Sequence, residues 1–128
     1  FDLLVLDAFS SDAIPAHLLT REAIALYRQR LAADGVLAIH VSNNHLDLVP
    51  LVHRLALDAG MTSRTIDSKS DAVNRISRAI WVVLADSSNP IWEHESMADL
   101  LPATAAELES APLWTDQCHN LLSVLDLW

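Results

Sequence analysis

Residues 1–15 read FDLLVLDAFSSDAIP, and the build of this stretch decides the fold class. Leu3 to Leu6 is an unbroken aliphatic run that ends on Asp7; a short loop with a second acid, Asp12, follows and closes at Pro15. An apolar run of that length bounded by turn residues reads as a buried strand. A strand that stops on a carboxylate delivers it to its C-terminal end, and in open α/β sheets ligands bind outside those ends.

Working outward, Thr20 to Ala32 has helical spacing, with Ile24, Tyr27 and Leu31 on one face. Thr20 is the expected N-cap, Glu22 sits at the positive end of the helix dipole, and Arg28 and Arg30 sit at the negative end. Asp34-Gly35 then turns the chain into Val36 to Val41, again almost wholly aliphatic, with His40 as its one interruption. Continuous hydrophobicity signals a strand covered on both faces, so two such strands around one amphipathic helix predict a parallel βαβ unit. Asp47 to Ala59 predicts a second helix, with Pro50 in its first turn and Gly60 just past its end. Met61 to Ile66 is a strand interrupted by polar residues, and Asp67 to Arg78 reads as loop. Ala79 to Ala85 is the last strong strand; the polar connection before it carries no helical pattern, which predicts antiparallel pairing with its predecessor.

Past Asp86, Ile91 to Leu101 and Thr104 to Ser110 suit short helices between Pro90, Pro102 and Pro112. The tail Leu113 to Trp128 is too apolar to hang free and is expected to dock on the body or on a neighbouring chain. The expectation is therefore one α/β domain over 1–128: a β-α-β-α-β-β core over 1–85 and a helical tail over 86–128.

Composition supports a globular chain, 52% hydrophobic and 20% charged. No apolar run reaches the roughly 20 residues that cross a bilayer, and the opening strand leaves no room for a basic leader, so an excised or processed piece of a longer, cytoplasmic protein is expected. The net charge of −9 is uneven: residues 79–128 hold eight acids and no Lys or Arg. An acidic surface repels phosphate backbones, which argues against nucleic acid as a partner. Cys118 is the lone cysteine and excludes an internal disulfide.

The chemistry narrows by elimination. Gly35 and Gly60 are the only glycines, each explained by a turn or cap, so no glycine-rich nucleotide loop is present. The six histidines form no HxH or HxxxH pair, which leaves no expected metal site. His40 reads as a hydrogen-bonded core or ligand-lining residue, and His17 as a helix-entry residue next to the acidic loop. Ser10 and Ser11 lack a nucleophile elbow and fit turn and capping roles. Asp7 remains, either binding an ammonium group and accepting its proton or capping loop amides. Asp12 is either a second acid strengthening the local field or a solvated residue.

With those residues in view, VLDAFSSDAIPAHLLTREAIALYRQRLAADGVLAIHVSN, residues 5–43, resembles the middle of spermidine synthase-like proteins, which have the class I methyltransferase fold. More narrowly it is similar to the bacterial branch in which such a domain is often fused to membrane segments, and residues 113–125, LWTDQCHNLLSVL, are similar to that branch's ending. The resemblance implies the C-terminal half of a Rossmann-like, three-layer domain with a mostly parallel sheet and an antiparallel strand near its C-terminal part. The first strand here would be the family's fourth, with the glycine-rich cofactor loop upstream. It implies that Asp7 matches the first acid of the family's Asp-x-x-Asp-Pro motif, which lies beside the attacking amine and helps take up its proton. Asp12 stands for the second acid at a longer spacing, with Pro15 three residues on. Ala8, Phe9 and Ser10 would lie near decarboxylated S-adenosylmethionine, or S-adenosylmethionine, in the complete protein.

The implied reaction is attack by a small-molecule amine on the activated carbon of that donor. The isolated 128 residues are expected to be inactive and to hold no cofactor. The expected partners are the upstream half of the same protein and, through the exposed first strand, further copies of the chain. The alternative is a non-catalytic interaction or regulatory module that keeps the fold while attached to a membrane protein.

Overall fold

A computed structural model describes residues 1–7, 16–42, 46–69, 72–75, 77–98, 100 and 102–117. The strands are β1 (Leu3–Leu6), β2 (Val36–His40), β3 (Thr62–Ser68) and β4 (Ala79–Ala85), and the helices α1 (Arg21–Arg30), α2 (Val49–Asp58), α3 (Glu95–Ala98) and α4 (Ala105–Ser110). Short 3-10 turns at Ala16–Leu18 and Pro90–Glu93 complete the order. No described helix is long and apolar enough to cross a membrane.

Helix α1 starts where Thr20 accepts a hydrogen bond from the Ala23 amide, and α2 carries Pro50 in its first turn, where a missing N–H costs little. Gly60 ends α2 at φ +71°, a left-handed turn that glycine adopts without strain. Thr104 and Glu107 form a reciprocal capping box on α4.

The sheet order is β1-β2-β4-β3, with β1 and β2 parallel and β4 antiparallel to both of its neighbours. The expected β3–β4 hairpin is present, and β3 runs two residues further than expected, to Ser68. A mostly parallel sheet is not: one pairing of three is parallel, so the sheet is mixed. The connection after Ser68 is too short for a crossover helix, so β4 must return antiparallel, and it inserts between β2 and β3.

Helices α1 and α2 share one face of this sheet. Ile24 of α1 and Leu51, Val52 and Leu55 of α2 close over Leu37, Ile39, Val82 and Leu84, all essentially buried. On the opposite face Leu3 and Val5 are 58% and 50% exposed. Continuous hydrophobicity in β1 therefore does not mean two covered faces here: the three-layer arrangement reduces to two layers over β1 among the described residues. At the other side of the sheet the Arg64 guanidinium of β3 lies 5.6 Å from the Trp92 ring.

The tail docks as expected over its described part. Trp114 is 1% exposed within the core, its carbonyl accepts from the Arg21 amide at 2.8 Å, and Asp116 accepts from the Thr20 hydroxyl at 2.6 Å.

A buried histidine bridges α2 and β3. His53 is 2% exposed, with Nδ1 2.6 Å from the Ser63 hydroxyl and Nε2 2.7 Å from that of Thr65, so both ring nitrogens are paired. Burial pushes its pKa below the ordinary value; Glu107 opposes that shift and Arg64 adds to it. Below about pH 6.5 the unfolded chain therefore takes up a proton that the folded state resists. Stability is expected to be full above that pH and to fall as pH drops through the folded value. Urea midpoints at pH 7.5 and 5.5 should show the loss, and His53→Gln should flatten it; equal slopes in the two proteins would assign the loss elsewhere.

Candidate functional site

Strands β1 and β2 are paired in parallel up to Leu6 and Ile39, so their next residues, Asp7 and His40, emerge side by side at the carboxyl edge of the sheet. The register between β2 and β4 sets Trp81 opposite His40, and that between β3 and β4 sets Ile66 opposite Trp81. Because side chains alternate along a strand, this row lies on the same face as Leu3, Val5 and Ala38, away from α1 and α2.

The row is connected. Asp7 Oδ1 lies 2.8 Å from His40 Nδ1, and the imidazole packs on the Trp81 indole with ring centroids 4.8 Å apart and planes tilted by 33°. The Asp7 side chain is 60% exposed and that of His40 only 20%. A shielded ring thus stands beside an open carboxylate. An ionised carboxylate only accepts, so in the neutral ring Nδ1 carries the proton and Nε2 the lone pair.

Behind the row, Ser42 extends β2 by accepting from the Ile80 amide at 2.6 Å, and Val41 donates to the Ile80 carbonyl at 2.9 Å. The edge that carries His40 is therefore held from the β4 side. His17 lies exposed in the 3-10 turn before α1, a helix-entry residue as expected. Asp12, Ala8, Phe9 and Ser10 lie outside the described residues.

A nucleoside-bearing donor is commonly cradled by a glycine-rich loop at the carboxyl edge of the sheet. Gly35 stands at the opposite end of β2, where an added Cβ would meet the Phe1 carbonyl oxygen at 2.8 Å and that of Ala32 at 2.9 Å. Its job is a close backbone approach, and Gly60 caps α2. Among the described residues neither glycine is at the carboxyl edge, so they do not by themselves make a cradle for such a donor.

Compared with curated proteins, the chain is 28% identical over 114 residues to the polyamine aminopropyltransferase of Vibrio vulnificus (strain CMCP6). This similarity supports a spermidine synthase-like relationship. The alignment covers 88% of the chain and 37% of the enzyme, so the chain spans little more than a third of the length of the curated relative it matches. No protein-family model matches it.

Sequence reasoning placed Asp7 at this edge and marked His40 as hydrogen-bonded or ligand-lining, but did not join them. Trp81 was not singled out at all, since within Ala79 to Ala85 it reads as one more apolar residue. The signal that joins the three is the strand register, which only the folded sheet supplies.

Proposed function

We propose that this chain is the C-terminal part of a spermidine synthase-like transferase and supplies its amine-handling side. The observation that carries the reading is the Asp7–His40 pair at the carboxyl ends of two parallel strands. The open carboxylate of Asp7 draws in a protonated amine and helps to withdraw its proton. Decarboxylated S-adenosylmethionine, or S-adenosylmethionine, is held by the upstream half of the same protein, together with Ala8, Phe9 and Ser10, and Asp12 is the second acid of the loop.

The sheet supports the same reading. A parallel pair followed by a reversed β4 suits the second half of a Rossmann-like methyltransferase sheet with its antiparallel strand late in the chain. Among the described residues β1 pairs on one side only, and Leu3 and Val5 on its outer face are half exposed. In the complete protein the preceding strands pair with that edge. In the isolated chain a second copy takes their place, so sedimentation should show a dimer at micromolar concentration; a monomer at every concentration would contradict this.

The reading is tested by assaying the complete protein with decarboxylated S-adenosylmethionine and a series of diamines, following the aminopropylated product by mass spectrometry. Product that depends on both substrates is expected. No product with any diamine, or with S-adenosylmethionine as donor, would favour the non-catalytic module. The isolated 128 residues are expected to be inactive.

A further inference from the structure

We propose that His40 Nε2 is the atom that receives the amine's proton, and that Asp7 is a positioning residue acting through the ring. The proposal rests on the amine-handling reading above and departs from it by moving the proton from a lone carboxylate to an imidazole.

Three features of the site converge on His40. The 2.8 Å bond to Asp7 occupies Nδ1 and orients the ring, leaving the Nε2 lone pair as its acceptor. The Trp81 face packs against the same ring at 4.8 Å and favours the imidazolium once it forms, since an aromatic face attracts a cation. The ring is largely shielded at 20% exposure, hence fixed, whereas a carboxylate at 60% exposure is free to be solvated. As a class, imidazole also accepts a proton near neutral pH far better than a carboxylate does.

The step is a single proton transfer. An N–H bond of the bound alkylammonium breaks, its electron pair stays on nitrogen as the lone pair an attacking amine needs, and the proton bonds to Nε2. The positive charge moves from the amine to the imidazolium, where the Asp7 carboxylate and the Trp81 face hold it.

The test has two arms. In the 128-residue chain carrying 15N-labelled histidine, His40 is assigned by its loss in His40→Gln. Its neutral ring should be protonated at Nδ1, 1,4-diaminobutane should shift Nε2 rather than Nδ1, and Asp7→Asn should raise the Nε2–H tautomer. A ring protonated at Nε2 in the unaltered chain, or one indifferent to the diamine, would overturn the proposal. In the complete protein His40→Gln, which keeps a donor for Asp7, should lower kcat by about 100-fold or more while KM for the amine moves by less than about threefold. Imidazole in the buffer should partly restore His40→Ala. If His40→Gln keeps kcat within about threefold while Asp7→Asn abolishes it, Asp7 takes the proton alone and the transferase reading stands without this proposal. If the unaltered complete protein makes no product yet the diamine still shifts Nε2, the transferase reading fails while the assignment of the acceptor holds.

Discussion

On the transferase reading proposed above, Asp7→Asn in the complete protein is expected to lower kcat/KM for the amine by about 10²- to 10⁴-fold, the range that a positioned acid–base group contributes. Two losses combine. The carboxylate that attracts an ammonium group disappears, and the asparagine amide can donate to His40 Nδ1, which turns the ring to the tautomer with its proton on Nε2 and no lone pair there. The fold should barely notice. An ion pair with one partner this exposed is worth about 0–1 kcal/mol at most, so the urea midpoint should move little. This contrast separates a functional Asp7 from the alternative in which it only caps loop amides. Activity within about threefold of the unaltered protein, or a loss of stability that matches the loss of activity, would remove Asp7 from the chemistry.

What was legible in the chain divides along physical lines. Local signals were read directly: the aliphatic runs became β1, β2 and β4, Thr20 capped α1, and Gly60 closed α2. The β3–β4 hairpin was legible because a short polar connection permits little else. The insertion of β4 between β2 and β3 was not, since neighbour choice within a sheet depends on long-range packing that no local pattern encodes. The exposed face of β1 was misjudged for a related reason. An aliphatic run marks a strand with at least one buried face, without saying whether the second face is covered too. The site followed the same rule: Asp7 was visible as a strand-ending acid, but its bond to His40 and the stacking of Trp81 exist only through the register of three strands.

Trp114→Ala is expected to cost about 3–5 kcal/mol, the usual range for emptying a fully buried aromatic site. Trp114 is 1% exposed in the same cluster as Ile24, Leu37 and Leu55, so its removal leaves a cavity in the core that the surrounding structure fills only in part. The indole also seats the segment that completes the N-terminus of α1. With it in place, the Trp114 carbonyl accepts from the Arg21 amide, the Asp116 carboxylate accepts from the Thr20 hydroxyl, and the Glu22 carboxylate accepts from the Asp116 amide at 2.9 Å. The first of these bonds satisfies an amide that a helix cannot pair within itself. Against a total stability of about 5–15 kcal/mol for a domain, such a loss should shift the urea midpoint by a large fraction or leave the chain unfolded at 37 °C. Trp114→Phe, which keeps most of the buried surface, should recover much of it. A midpoint for Trp114→Ala within the equivalent of about 1 kcal/mol of the unaltered chain would mean that the tail adds little to the core, and that the cap on α1 holds without it.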